Sequence, residues 1–232
     1  ATDAGELAVV GVLIDEGAEN AALANVFANL PADAGDPMMV DGETVDIAAA
    51  LPTNQASWRY DGSLTTPPCS EGVQWILMAE PIEASAAQIA GYTDLYDNNF
   101  RPTQPLGSRM ITGDDGHGDV HWSYSGDGGP SHWGDLKDEY KTCGTGMEQS
   151  PIDIPASATA GVAGDLTTSY SATPMDILNN GHTVQVNYED GSTVTYGGTT
   201  YTLKQFHFHA HSEHTVDGMS HPIEMHMVHA SD

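Results

Sequence analysis

Histidines are concentrated near the C-terminal end of the chain, where seven of the eleven fall between positions 207 and 229. Side chains alternate faces along an extended strand, so His207 and His209 are predicted to point the same way. The same two-residue rule puts Glu224 and His226 on one face. Three neutral imidazoles converging from two strands suit a borderline-soft divalent ion, for which zinc is the usual occupant. Three protein ligands would leave the fourth tetrahedral position open, as in a catalytic zinc site.

The residues two positions before these candidate ligands strengthen the metal interpretation. A single histidine on a strand is most often a surface or core residue, and one His-x-His pair is weak evidence for a metal. Here Gln205 precedes His207 and Glu224 precedes His226 at that spacing. Zinc-bound imidazoles usually donate their second ring N–H to such an acceptor, which fixes the tautomer and the ring orientation. The sequence therefore predicts a zinc site.

The charge of the chain limits its partners. Its 232 residues include 33 acidic and six basic ones, for a formal charge of -27. This balance repels nucleic acid and anionic lipid, so we expect neither as a partner. Solubility, or adaptation to salty surroundings, would equally account for it. No apolar run approaches the ~18 residues that span a bilayer, and the first residues lack a signal sequence, so we expect a soluble chain.

The elements that must position the histidines are predicted to be mostly strands with a few short helices, in a single domain. A continuous apolar run over 7–14 predicts a strand near the middle of a sheet. Helical spacing predicts a helix over 19–30 that Pro31 ends, and another running to about position 96. The remaining predictions are a helical turn over 46–51, strands over 57–60, 73–78, 183–188, 193–196 and 201–208, and turns at 61–62, 190–191 and 197–198. The last three strands are expected to form an antiparallel meander into the histidine strand.

Eight short motifs spread over nearly the whole chain resemble those of the α-class carbonic anhydrases, and the bacterial members most. They are QFHFH at 205–209, SEHT at 212–215, EMHMVH at 224–229, SLTTPP at 63–68, NFRPTQP at 99–105, QSPI at 149–152, NGH at 180–182 and HWSY at 121–124. The resemblance implies a mainly β fold, in which a large twisted, mostly antiparallel central sheet carries short peripheral helices.

The order of these motifs departs from the family. In the family the HWSY segment opens the domain and the NFRP segment comes near its end, whereas here the order is rotated. We interpret the chain as a circular permutant, in which 1–111 is the family's C-terminal part, 112–119 is a connector and 120–232 is the N-terminal part with the zinc strands. Eight connector residues span at most about 28 Å, enough for neighbouring termini. Whether the permutation is engineered or natural stays open.

The resemblance implies reversible hydration of carbon dioxide to bicarbonate and a proton by a zinc-bound hydroxide. His207, His209 and His226 would bind the Zn²⁺ ion. Thr65 resembles the family's gatekeeper, which accepts the hydroxide's hydrogen and donates its own to Glu213. Taken alone, Thr65 would be a turn hydroxyl and Glu213 a surface acid.

Further roles follow from the same resemblance. Gln205, Glu224 and the backbone carbonyl of Asn99 match the acceptors behind the three ligands. His182 matches the proton shuttle, since an ordinary histidine pKa near 6.5 suits transfer in both directions. The residues expected to order a water chain are Tyr124, Asn180 and Gln185, and those expected to line an apolar carbon dioxide pocket are Val9, Leu64, Thr66, Val73, Trp75 and Val228. His214 and His229 match structural positions, and His211 has no assigned role.

Cys69 and Cys143 are the two cysteines of the chain. On spacing alone they could be buried thiols, since they form no Cys-x-x-Cys pair. They match the disulfide of secreted bacterial members, which implies an oxidising compartment, periplasmic or extracellular.

Two other functions stay open. One is a non-catalytic binding module on the same fold, and the other is a histidine-rich metal buffer, which would need neither Thr65 nor Glu213. The sequence does not fix the oligomeric state, and an ordinary or a domain-swapped dimer is compatible with it.

Overall fold

A computed structural model describes residues 6–105, 121–158, 160 and 166–231. The described part of the chain contains thirteen β-strands and four short α-helices. The strands are β1 Leu7–Glu16, β2 Met38–Val45, β3 Ser57–Ser63, β4 Glu71–Met78, β5 Ile82–Ala84, β6 Asp153–Ile154, β7 Leu166–Ser169, β8 Thr173–Asn179, β9 Val184–Asn187, β10 Thr193–Tyr196, β11 Thr199–His209, β12 Thr215–Val216 and β13 Ile223–Ala230. The helices are α1 Ala24–Ala28, α2 Ala86–Thr93, α3 Trp133–Leu136 and α4 Lys141–Thr145.

Eleven strands form one large sheet, with the order β2-β8-β9-β11-β13-β1-β4-β3 along its main path. Strand β10 pairs with β11 and β7, and β5 pairs with β1. The pairings β1–β4 and β1–β5 are parallel, and the other pairings in this sheet are antiparallel. A small parallel sheet joins β12 to β6. This architecture confirms the predicted mainly β, mostly antiparallel single domain.

The two faces of the central strands have different surroundings. Val10 and Val12 of β1 belong to the largest apolar cluster, together with Phe206 and Phe208 of β11, and all four side chains are fully buried. Because side chains alternate, the histidines of β11 lie on the opposite face of the sheet. The apolar run predicted as a central strand is therefore confirmed: β1 lies between β13 and β4.

Several predicted elements differ from the structure. The helix expected over 19–30 is reduced to α1, because the Asn20 side chain accepts the N–H of Leu23 in a turn and its backbone binds Gln88 of α2. Helix α2 begins at a capping box of Ser85 and Gln88, and it ends at Thr93, before the predicted position 96.

The turn predicted at 61–62 is wrong, because both residues lie inside β3, where Asp61 pairs with Gln74. Glycine is needed at position 62 for close packing: a Cβ there would collide with Ser150 and Trp75. The predicted meander is also incomplete. Strand β9 pairs with β8 and β11, and β10 pairs with the first half of β11.

The described ends of the chain lie side by side. Strands β1 and β13 pair antiparallel, with Leu7 opposite Ala230, and Ser231 donates its backbone N–H to the carbonyl of Glu6 at 2.9 Å. The predicted connector over 112–119 lies outside the described residues. Among the described residues, no helix has both the length and the apolar character needed to cross a membrane.

Candidate metal centre

Two neighbouring strands bring three histidines together. In the antiparallel pair of β11 and β13, His207 lies directly opposite His226. His209 shares the face of His207, and the ring centroids of the three are 4.6 to 5.3 Å apart. One ring nitrogen from each histidine can be chosen so that all three lie within 4.8 Å of one another.

The two histidines of β11 each have one nitrogen held by an oxygen acceptor. His207 Nδ1 lies 2.9 Å from the side-chain oxygen of Gln205. His209 Nδ1 lies 2.7 Å from the backbone carbonyl oxygen of Asn99. Because these acceptors can only take a hydrogen, each Nδ1 is protonated, and each Nε2 is left with a free lone pair.

His226 on β13 has the opposite arrangement. Its Nε2 lies 2.8 Å from Oε1 of the fully buried Glu224. The same oxygen is 2.7 Å from Nδ1 of His214, and Oε2 accepts the backbone N–H of His214 at 2.8 Å. Although burial raises the pKa of Glu224, the nearby His214 and His226 hold it well below its usual range. A stable carboxylate therefore directs Nδ1 of His226 toward the other two rings.

The properties of the free nitrogens fit a metal ion. Nε2 of His209 is buried and has no hydrogen-bond partner in the described structure. Burial and the neighbouring histidines hold the pKa of His207 well below its ordinary value. Burial lowers the pKa of His209 as well. For His207 and His209 this favours the neutral imidazole, the form that binds zinc. Burial also lowers the pKa of His226, but the Glu224 carboxylate raises it above the ordinary value.

A second possible ligand group consists of His214, Glu224 and His226. In that group both nitrogens of His214 are already occupied, Nδ1 by Glu224 and Nε2 by the hydroxyl of Tyr60 at 2.6 Å. We therefore assign His214 to the support of Glu224, in agreement with its predicted structural role.

The predicted gatekeeper contact is not formed in this structure. Thr65 is buried just after β3, and Glu213 is buried beside the histidines, with Oε2 3.9 Å from His226 Nδ1. Oε1 of Glu213 accepts the backbone N–H of Arg101 at 2.7 Å. Oε2 has no hydrogen-bond partner among the described residues, so the expected bond from Thr65 is absent.

An apolar cluster lies directly beside the three histidines. Its buried members are Val9, Val73 and Trp75, and Leu7, Tyr60, Leu64 and Val228 pack against them. The Trp75 ring meets the His226 ring edge to face, with centroids 4.8 Å apart. Five of the six residues predicted to line a pocket are therefore in one cluster. Thr66 is half-buried on the neighbouring loop and outside it.

The predicted shuttle histidine lies on the turn after β8. The Asn180 side chain accepts the backbone N–H of His182 at 3.0 Å, and its amide lies 3.4 Å from the oxygen of Gln185. The His182 ring stacks on Trp122, with centroids 3.7 Å apart. Tyr124 approaches it edge to face at 6.5 Å. Burial lowers the pKa of His182, and His121 lowers it further.

Cys69 and Cys143 form a disulfide, as predicted, with Cα atoms 5.0 Å apart. The backbone N–H of Cys69 binds the carbonyl of Thr66 at 2.8 Å, which closes the loop that carries Thr65. On the other side, the Arg101 guanidinium donates to the carbonyl of Cys143 at 2.8 Å. The bridge thus ties the Thr65 loop to α4 and to Arg101.

The family model that matches the chain and two relatives similar to it agree on one protein family. The model of the eukaryotic-type carbonic anhydrases matches residues 1–114 and 128–232. A carbonic anhydrase of Klebsiella pneumoniae is 50% identical over 111 residues, which are 47% of this chain and 45% of that protein. One of Neisseria gonorrhoeae is 45% identical over 118 residues, 50% of this chain and 46% of that protein.

The chain is also similar to a plant protein and to a solved bacterial structure. Dioscorin DB3L of Dioscorea polystachya is 42% identical over 106 residues, 44% of this chain and 39% of that protein. The solved α-carbonic anhydrase of Thermovibrio ammonificans, in complex with sulfanilamide, is 44% identical, with a TM-score of 0.46. That match covers 50% of this chain and 51% of the other. In each of these pairwise matches the chain spans about half the length of the relative or less.

Proposed function

Because the chain belongs to the eukaryotic-type carbonic anhydrase family, we propose that it catalyses the reversible hydration of carbon dioxide to bicarbonate and a proton. The observation that carries the proposal is the trio of imidazoles with converging free nitrogens. Among the residues that the structure describes, one of these nitrogens is buried without a partner, and an apolar cluster lies beside the three rings.

The resident cofactor of this proposal is Zn²⁺, held by Nε2 of His207, Nε2 of His209 and Nδ1 of His226. When bound, the ion acts as a Lewis acid that lowers the pKa of a water molecule to about 7, so that hydroxide is available near neutral pH. Gln205, Glu224 and the carbonyl of Asn99 hold the three rings in the ligand tautomers.

The apolar cluster of Val9, Leu64, Val73, Trp75 and Val228 suits carbon dioxide, which has no net dipole and no hydrogen to donate. Such walls exclude competing water and place the substrate beside the ion. Thr66, half-buried on the neighbouring loop, would contact bicarbonate as it leaves.

Thr65 and Glu213 orient the nucleophile in this proposal. Oε2 of Glu213 is a buried acceptor with no hydrogen-bond partner in the described part of the chain. In this proposal the Thr65 hydroxyl donates to that oxygen in the loaded site, and its own lone pairs accept a hydrogen from the attacking group. The gatekeeper function therefore requires a contact that forms in the loaded site.

His182 carries the proton out of the site. Tyr124, Asn180 and Gln185 would order the water between the ligands and His182. In support, Asn180 contacts both His182 and Gln185. Tyr124 stays neutral, because burial raises its pKa well above the usual value. Imidazole is suited to this role since its ordinary pKa lies close to neutral pH.

Stopped-flow hydration of carbon dioxide tests the proposal. We expect activity from the zinc-loaded protein, none from the metal-free protein, and recovery on adding one equivalent of zinc. Thr65→Val should keep the zinc and lower kcat/KM by about a hundredfold, because it removes an orienting hydrogen bond. A fully zinc-loaded protein with no hydration above buffer would refute the enzyme assignment.

A non-catalytic binding module on the same fold is the second candidate; one matched relative, dioscorin DB3L, does not carry the name carbonic anhydrase. The complete ligand set and the adjacent apolar cluster support the enzyme instead. A histidine-rich metal buffer would explain zinc binding but needs no such cluster. The hydration assay, combined with zinc analysis, separates the three functions.

We also propose that the chain order is a circular permutation of the family domain, with 1–111 and 120–232 exchanged around a connector at 112–119. The order of the motifs supports this proposal, because HWSY at 121–124 follows NFRPTQP at 99–105. A protein with 120–232 placed first and Ser231 joined to Glu6 by a short turn should fold, bind zinc and hydrate carbon dioxide equally well. Failure of this reordered chain to fold would contradict the permutation.

The disulfide supports an oxidising location for the protein, periplasmic or extracellular. Carbon dioxide and bicarbonate are the expected partners, and the strong negative charge disfavours nucleic acid and anionic membranes. Size-exclusion chromatography with light scattering would show whether the chain is a monomer, an ordinary dimer or a domain-swapped one.

A further inference from the structure

His121 lies against the predicted shuttle histidine, although neither spacing nor motif assigned it a role. Its Nε2 atom is 3.1 Å from Nε2 of His182, a hydrogen-bond distance. The two ring centroids are 5.1 Å apart, and the planes are inclined by 30°. The residues are 61 positions apart in the sequence. Only the fold brings them together.

A hydrogen bond between two ring nitrogens needs one nitrogen protonated and the other bare. The facing Nε2 atoms of His121 and His182 therefore share a single proton. If both rings were charged, two N–H groups would point at each other across 3.1 Å. The pair thus accommodates one excess proton at most, and this proton can reside on either ring.

The two rings differ in exposure, which gives the pair a direction. His182 is half-buried and stacks on Trp122, whereas His121 is exposed. Trp122 also stacks beside His121, with centroids 6.2 Å apart, so one indole supports both imidazoles. The more buried ring faces the interior and the exposed ring faces solvent.

We propose that His121 is the outer member of a two-histidine relay, which receives the proton from His182 and passes it to solvent buffer. This inference rests on the proposed function and extends its shuttle step. A proton taken up at Nδ1 of His182 releases the Nε2 proton to Nε2 of His121. His121 then loses its Nδ1 proton to a buffer base. Exchange of ring protons with water restores the starting tautomers.

The charges around the pair agree with outward transfer. Burial lowers the pKa of His182, and a charge on His121 lowers it further. Tyr124 also approaches His182, and its pKa is raised well above the usual value by burial, so it carries no charge. Burial and the charge on His121 therefore both make a proton on His182 less stable.

His121→Ala tests the relay in the zinc-loaded protein. In dilute buffer we expect kcat to fall by about three- to tenfold, with kcat/KM unchanged, since only proton release is slowed. Imidazole buffer should restore kcat. The pKa that governs kcat should rise in the variant, because His182 no longer feels the charge of His121. A purely structural role for His121 would not produce this rise.

Two controls make the test decisive. His132→Ala removes another exposed histidine and should leave kcat unchanged in every buffer. His121→Ala added to His182→Ala should cause no further loss, because the outer ring acts only through the inner one. Zinc content and melting temperature show that each variant is folded.

The outcomes separate this inference from the proposed function. If the zinc-loaded parent protein hydrates no carbon dioxide, both fail. If the parent is active and His182→Ala is slow in dilute buffer, while His121→Ala has the same kcat and pH profile as the parent, the relay is overturned and the enzyme assignment stands.

Discussion

Gly11 of β1 lies directly opposite His226 of β13. Replacing Gly11 should disturb the metal centre through Glu224, which orients His226. A Cβ at this position would lie 2.9 Å from Cδ1 of Leu77 and 3.1 Å from Oε1 of Glu224. Leu77 is fully buried, so its methyl group has little space to move. The carboxylate must then shift by a few tenths of an ångström, away from the positions in which it accepts from His226 and His214.

The expected size of the effect follows from these contacts. Gly11→Ala should lower the free energy of unfolding by about 1–3 kcal/mol, the usual cost of forcing an extra carbon into a packed core. Because Oε1 of Glu224 orients His226, zinc affinity should fall by about tenfold, as when a residue behind a ligand is changed. Gly91→Ala in α2 is the matched control, since its Cβ would meet nothing within 4 Å. That variant should gain about 0.5–1 kcal/mol from higher helix propensity.

Urea unfolding of the metal-free variants measures stability without the contribution of bound zinc. Competition with a chromophoric chelator measures zinc affinity. If Gly11→Ala matched the parent in both stability and zinc affinity, the idea that close packing of β1 against Glu224 supports the metal centre would be refuted.

Three further predictions test separate parts of the structure. His226→Ala should lose zinc and hydration activity together, because two ligands remain and buried Glu224 loses a partner; stoichiometric zinc in the purified variant would contradict the ligand set. Replacing Cys69 and Cys143 by serine should lower the free energy of unfolding by about 4 kcal/mol, because the disulfide closes a loop of 74 residues. The same change should slow turnover by loosening the Thr65 loop. An unchanged urea midpoint and an unchanged kcat would refute these two effects. Burial lowers the pKa of His229 from the ordinary 6.5 to about 4, so its contribution to stability is complete above pH 6.5 and decreases by about 3 kcal/mol as the pH falls toward 4. His229→Gln should flatten the pH dependence of urea unfolding over that interval, and an unchanged slope would argue against a neutral buried imidazole.

Strand β1 and the histidine strand β11 could be predicted because their signals are local. The run over 7–14 is apolar on both faces, as a strand inside a sheet must be, and His207 and His209 alternate with phenylalanines along β11. The acceptors behind two of the ligands were also visible as a two-residue spacing. These features need no knowledge of distant contacts.

Other elements depend on contacts that are distant in the sequence. Helix α1 is short because Asn20 binds Gln88, 68 residues away. Strand β8 was not predicted, since Pro174 and Asp176 interrupt a pattern in which Met175 and Ile177 are buried. Strand β8 is determined by its pairing with β9 in the sheet and not by its local sequence.

Two functional features were missed for the same reason. The need for glycine at position 11 arises from Glu224, which is far along the chain and adjacent only across the sheet. The contact of His121 with His182 likewise arises from the fold. In the sequence, the only signal for His121 is its place in the HWSY motif, and this motif does not indicate that His121 contacts His182.

In the proposed enzyme, three imidazoles hold one metal ion and leave one position open beside an apolar wall. X-ray absorption at the zinc K-edge of the zinc-loaded protein tests it most directly. We expect three imidazole nitrogens and one oxygen from solvent, all at about 2.0 Å, with no sulfur. A sphere of four protein side chains, or one with fewer than three imidazoles, would contradict it.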